Sequence, residues 1–270
     1  MSKIIAIANQ KGGVGKTTTC VNLAAYLALM GKRVLAVDID PQGNCSSGLG
    51  IEKNALEYSI YNVLAGECKP ERAIIHTKVK NLDILPANID LAGAEVELVS
   101  VSEREKVLKK ALTPLRNVYD YITIDCPPSL ALLTVNALTL ADSILIPIQG
   151  EFYALEGLSQ LMNTIKLAKR HLNQSLSVEG VVLTMYDSRS RLVQNVTDEI
   201  VKFFGNKVFS TKIPRNVRLG EAPSYGMPIM LFDPRCSGSV AYKNLAEEFL
   251  MRNGDKFTPI KDLSALRRLR

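Results

Sequence analysis

Only two histidines occur in the chain, and its five cysteines (Cys20, Cys45, Cys68, Cys126 and Cys236) form no C-x-x-C pair. That ligand supply argues against a dedicated zinc or iron–sulfur site within one chain. Scattered thiols with no disulfide framework fit a reducing, cytoplasmic home. No apolar run approaches the roughly 20 residues that a membrane-spanning helix needs. The N-terminus also lacks the hydrophobic region of a signal peptide. Internal repeats, low-complexity stretches and Pro/Gly-rich linkers are missing too, so the 270 residues are read as one large α/β unit rather than two small ones.

What is present is the composition of an ordinary globular protein, 47% hydrophobic and 22% charged. Lys and Arg number 33 against 27 Asp and Glu, a net charge of +6. Most excesses of this size only aid solubility. Here the basic residues thicken late in the chain, which brings an anionic partner into consideration without establishing one.

The most informative segment is KGGVGKTT at 11–18. It follows a buried-strand pattern, IIAIA (4–8), and opens a helical one, TTTCVNLAAYLALMGK (17–32). Gly12, Gly13 and Gly15 allow backbone conformations closed to other residues, so successive N–H groups turn inward on a phosphate around Val14. The helix N-terminus adds partial positive charge. Lys16 is placed to reach the β- and γ-phosphates, the Thr17 hydroxyl to ligate Mg²⁺, and Thr18 completes the nucleotide loop. A nucleoside triphosphate is the expected ligand.

Further along, apolar runs alternate with helical patterns, which predicts a doubly wound, mostly parallel sheet. Strands are expected at 33–40, 81–87, 121–128, 142–149, 177–187, 207–214 and 227–230. Helices are expected at 59–66, 102–119, 154–172 and 238–253. Two strand ends carry carboxylates: VDIDPQGN (37–44) and TIDCPPS (123–129). Asp125 ends an apolar strand, the Walker B form, and is expected to hold Mg²⁺ through water. Asp38 precedes Asp40 in its strand and is expected to face the other side.

Where the general phosphate loop has its first glycine, this chain has Gln10, and Lys11 stands at the loop entrance. That pattern resembles the deviant Walker A loop of the ParA/MinD ATPases. The resemblance implies that Lys11 crosses a dimer interface to the partner's nucleotide, giving an ATP-sandwich homodimer. It also implies that Asp40 orients the attacking water, since phosphoryl transfer depends on positioning and electrostatics. DIDPQGN, IDCPPSL, EFYALEGL (151–158) and IPRNVRLGEAPSYGMPI (213–229) resemble the ParA/Soj branch, the chromosome- and plasmid-partitioning ATPases. The match runs from about residue 2 to about residue 250, so an ATPase domain is placed at 1–254 and a basic tail at 255–270.

On that resemblance Pro214 and Asn216 contact the adenine and Met185 packs on the base; ordinary strand core is the other reading of Met185. Arg189 and Arg218 occupy positions that the Soj-like branch uses for non-specific double-stranded DNA. Lys202, Lys243, Arg191, Arg215 and Arg235 lie in the same regions as weaker candidates. A loop beginning at residue 11 leaves no room for a preceding helix-turn-helix, so sequence-specific reading is not expected. A ParB-type activator and nucleoid association in the cytoplasm are further implications.

The alternatives are of other classes. A MinD-like membrane cycle would use Leu263, Leu266 and Leu269 of the tail as a short amphipathic anchor. An iron–sulfur carrier would need Cys126 and Cys236 to bridge two subunits. A regulator that binds but does not hydrolyse ATP conflicts with an intact Asp40.

Overall fold

The computed structural model of the chain describes residues 2–151, 154–260 and 263, with the backbone alone at 154–156. Seven strands form one sheet: β1 (Lys3–Ile7), β2 (Val34–Asp38), β3 (Ile75–His76), β4 (Leu82–Leu85), β5 (Tyr121–Asp125), β6 (Ser143–Gln149) and β7 (Ser177–Thr184). Their order is β3-β4-β2-β5-β1-β6-β7. Every pairing is parallel except the short edge pair β3–β4, so the expected doubly wound, mostly parallel sheet is what the chain forms.

The helices are α1 (Lys16–Leu29), α2 (Asn44–Gly48), α3 (Ile60–Leu64), α4 (Pro70–Ala73), α5 (Leu91–Glu97), α6 (Val107–Leu112), α7 (Leu132–Leu140), α8 (Ala154–His171), α9 (Arg191–Phe204), α10 (Val217–Glu221), α11 (Ile229–Phe232) and α12 (Ser237–Arg252). They cover both faces of the sheet, and strand alternation divides the core in two. Ile4 and Ala6 of β1 face one hydrophobic cluster, with Leu108, Leu133 and Leu161. Ile5 and Ile7 face the other, with Leu23, Leu27 and Phe249. Because both faces are buried, the strands read as unbroken apolar runs.

Three expected elements differ. The 102–119 helix is split: Glu103 is left-handed (φ 54°), α6 covers only Val107–Leu112, and a 3₁₀ turn follows around Pro114, which has no N–H to continue an α-helix. Segment 207–214 makes only isolated bridges beside β7. The Ser210 and Thr211 N–H groups go to the Glu248 carboxylate on α12 instead of to a strand. Segment 227–230 runs into helix α11, because Pro228 starts the turn and Asn22 Oδ1 accepts the Ile229 N–H at 2.7 Å.

α12 ends at Arg252. Residues beyond it run back onto the body. Asp255 pairs with Lys32 at 3.2 Å, and Phe257, Ile260 and Leu263 pack against the second cluster. Leu266 and Leu269 lie outside the described residues.

Candidate functional site

In a parallel sheet the carboxyl ends of the strands share one edge, and here that edge gathers the sequence's best candidates. β1 delivers the glycine loop, β2 Asp38, β5 Asp125 and β7 Thr184. Gly13 and Gly15 adopt positive φ (73° and 85°), which L-residues with side chains rarely sustain. Gly12 does not share that conformation. Thr184 Oγ1 donates to the Val14 carbonyl at 2.8 Å, tying β7 to the loop. Lys16 is buried, and its ammonium donates to the Lys11 carbonyl at 3.1 Å. Burial lowers the Lys16 pKa, opposed by Asp125, Cys126 and Asp40.

Asp125 is fully buried, and neither of its oxygens accepts a hydrogen bond. Burial, and then the neighbouring Asp38, raise its pKa well above the carboxylate range, with the Thr17 hydroxyl nearby pulling it down. A carboxylate orphaned this way beside a phosphate loop fits a hard cation. Among the described residues no three His, Cys, Asp or Glu side chains converge on a metal. Mg²⁺ suits that arrangement, because it needs one or two carboxylates and takes its other ligands from phosphate and water.

Asp38 and Asp40 part company for a reason other than strand alternation. They are two residues apart, a spacing that alternation would put on one side, but β2 ends at Asp38. The buried Asp38 carboxylate accepts from Asp40 N (3.1 Å), Ser46 N (2.8 Å) and Ser46 Oγ (2.8 Å), bracing the loop onto α2. Asp40, beyond the strand, accepts from Gln42 N at 2.9 Å, and among the described residues its second oxygen has no hydrogen-bond partner. Lys11 makes an ion pair with Glu151, a partner its sequence position gave no sign of.

A cavity of about 420 Å³ opens beside Gly15 and Thr18, lined by Met185, Pro214, Asn216 and Tyr242. Met185 sits just past β7 at φ 48°, left-handed for a side chain that gains nothing from it locally. On either side of it Leu183 O accepts from Ile213 N at 2.8 Å and Tyr186 N donates to the Ile213 carbonyl at 2.9 Å, which holds segment 213–216 alongside Met185. Asn216 is partly committed elsewhere: Oδ1 caps Arg218 N at 2.9 Å, and Nδ2 donates to Ser237 Oγ at 2.8 Å. Tyr242, which no sequence signal singled out, is held in place by Thr19 at 3.1 Å.

Arg189, Arg218, Lys202 and Lys243 are each ion-paired within the chain, whereas Arg191, Arg215 and Arg235 form no ion pair among the described residues. Arg189 forks onto Asp187, Lys202 meets Glu199 at 2.5 Å, Arg218 meets Glu221 at 2.8 Å and Asp233 at 3.6 Å, and Lys243 meets Glu247 at 2.9 Å. Lys243 is the least accessible, with 18% of its side chain exposed against 89% for Arg189. Cys126 is buried in the core, while the partly exposed Cys236 accepts from Ser239 N as the cap of α12. Among the described residues no helix is long and apolar enough to cross a membrane.

Residues 2–178 match the model of a family described as an AAA domain. The chain is 60% identical to the sporulation initiation inhibitor protein Soj of Bacillus subtilis, over 92% of this chain and 98% of that one. It is 50% identical to the chromosome partitioning protein ParA of Caulobacter vibrioides, over 94% and 96%. A solved structure of cobyrinic acid a,c-diamide synthase from Mycobacterium smegmatis, with bound ATP analogue and magnesium, superposes with a TM-score of 0.82 at 36% identity, covering 97% of this chain and all of that one. Phosphate loop, strand-end aspartates and near full-length identity agree: the chain belongs to the ParA/Soj family of partitioning ATPases.

Proposed function

We propose that this partitioning ATPase binds ATP with Mg²⁺, closes into a homodimer around two nucleotides, and in that state grips double-stranded DNA without reading its sequence. The orphaned, fully buried Asp125 carboxylate beside the glycine loop carries the nucleotide half of this reading. The loop N–H groups of residues 12–18 and Lys16 take the phosphates, and the slot at Met185, Pro214 and Asn216 takes the base. Thr17 and Asp125 are the residues that hold Mg²⁺, which when bound neutralises charge on the β- and γ-phosphates. Asp40, with one oxygen uncommitted, orients water for in-line attack. Lys11 is surplus to its own loop, since Lys16 already serves those phosphates, and is assigned to the partner's nucleotide.

Each protomer offers few phosphate contacts through Arg189 and Arg218, with Lys202 and Lys243 as weaker ones, so a single copy binds DNA poorly at physiological salt. Two copies joined by ATP add their contacts. Hydrolysis loosens the pair and releases DNA, and a ParB-type activator would time that step in the cytoplasm at the nucleoid. The membrane-cycling alternative has less support, since Leu263 of the tail packs on the core.

The test is retention of DNA by the wild-type protein with ATP, with ADP and without nucleotide, across a salt series. Retention confined to ATP and falling steeply between about 50 and 200 mM salt is expected. Equal retention in all three states would overturn the reading, as would ATP-dependent sedimentation with anionic liposomes but not with DNA. Within it, Arg218→Ala is expected to lose DNA while keeping the ATP-dependent dimer on size exclusion.

A further inference from the structure

The arginines assigned to DNA are not free in the structure; each is occupied by a carboxylate of its own chain. Arg189 donates from Nε to Asp187 Oδ1 at 3.0 Å and from Nη2 to Oδ2 at 2.9 Å. Arg218 donates from Nη1 to Glu221 Oε2 at 2.8 Å, with Asp233 Oδ2 3.6 Å from its Nε. A two-pronged guanidinium–carboxylate contact uses the same N–H pair, in the same plane, that a phosphodiester would take. The contacts are at the surface: Asp187 is 42% and Glu221 41% exposed. Each carboxylate can therefore swing into water when a phosphate arrives.

We infer that Asp187 and the Glu221–Asp233 pair act as built-in phosphate surrogates, so that DNA must displace an internal carboxylate at each arginine. This rests on Arg189 and Arg218 being the DNA contacts. An exposed ion pair is worth roughly 1.5- to 5-fold in a binding constant. Two pairs in a monomer hold its grip down by that factor squared. In a dimer the cost is repeated, but so are the contacts, which share one closure event. The four pairs of a dimer hold its grip down by that factor to the fourth power, so the suppression compounds on closure and is larger than in a monomer.

Asp187→Asn isolates the effect, because the amide keeps Oδ1 to accept the Arg189 N–H, a 3.0 Å bond that shapes the loop, and loses only the charge. Binding to duplex DNA of arbitrary sequence would be measured by fluorescence anisotropy with ADP and with a non-hydrolysable ATP analogue. Asp187→Asn is expected to tighten binding about 1.5- to 5-fold per protomer, and Glu221→Gln to do the same at Arg218. The gain should vanish when Arg189→Ala is added to Asp187→Asn. Asp198→Asn, which removes an exposed carboxylate of α9 that forms no ion pair among the described residues and lies near only the weaker candidate Lys202, should give a clearly smaller gain.

Weaker DNA binding in Asp187→Asn would overturn the inference, making the carboxylate a support for Arg189 instead. An equal gain from Asp198→Asn, or a gain that survives Arg189→Ala, would overturn it as a general charge effect. Wild-type protein that fails to bind DNA in any nucleotide state would instead sink the reading of the basic face, and the surrogates with it.

Discussion

At the residue scale, the site is arranged around charges left deliberately short of partners. Asp40 has one hydrogen bond where Asp38 has three, although both are buried. Asp38 therefore braces the loop, while Asp40 has the capacity that the proposed water-orienting role needs. Asp40→Ala should lower phosphate release on the order of 100-fold or more, since water positioning is most of the chemistry, while a filter-retention assay still finds ATP bound. Asp38→Ala should instead destabilise the fold, because Ser46 loses two buried hydrogen bonds. Lys11 is a different case, a cation committed to Glu151 with both side chains partly exposed. Glu151→Gln should release it and lower the ATP concentration needed for dimerisation by about 2- to 5-fold on size exclusion. A higher requirement would show that Glu151 aims Lys11 instead of restraining it.

At the element scale, the phosphate loop divides its glycines between two duties. Gly13 and Gly15 are needed for their left-handed backbone, and any side chain there would strain the loop. Gly12 is exposed, and a Cβ built on it meets nothing within 4 Å. Its reason to be glycine is then absent from a single protomer. Gly12→Val should leave the melting temperature and ATP binding close to wild type while abolishing the ATP-dependent dimer, a combination that chemical crosslinking and calorimetry together would detect. A normal dimer in that variant would count against backbone-to-backbone closure at the loop. The cavity at Met185 is likewise a product of elements: β7 pairs with β6 on one edge and bonds to Phe209 and Ile213 on the other, which brings segment 213–216 beside Met185.

At the scale of the whole molecule, the end of the sheet opposite the site is fastened by Glu179. It pairs with Lys3 at 2.6 Å and accepts from Ser143 Oγ at 2.7 Å and Asn253 Nδ2 at 2.9 Å, joining β1, β6, β7 and α12. Burial pushes the Glu179 carboxyl up, yet these hydrogen bonds outweigh it and the net shift is downward. A depressed folded-state pKa contributes stability that is complete above the unfolded value, about 4.3, and is lost as pH falls through the lower folded value. Stability should therefore drop below about pH 4, and Glu179→Gln should flatten part of that drop while costing about 1–3 kcal/mol at neutral pH. Thermal melts across pH 3–7 check both.

Much of this is legible in the sequence. A glycine loop, two strand-end aspartates and alternating apolar runs are local patterns, and local backbone chemistry dictates them: glycine for positive φ, periodicity for strand or helix, charge at a strand end for the ligand edge. The errors fell where distant residues decide. Residues 207–214 look like a strand until Glu248 takes two of their N–H groups, and 227–230 look like one until Asn22 caps them as a helix. The pairing of Lys11 with Glu151, the place of Tyr242 in the cavity beside Met185, and the carboxylates seated on Arg189 and Arg218 likewise belong to the tertiary structure. Asp187 and Glu221 are near neighbours in sequence, but spacing alone does not say which of several nearby acids a flexible arginine will meet. The sequence alone determined what chemistry the chain carries, because that chemistry is written in residue types at short spacing. Which charges stand free and which are already answered was decided only by the fold, because a charge's partner is set by distance in space.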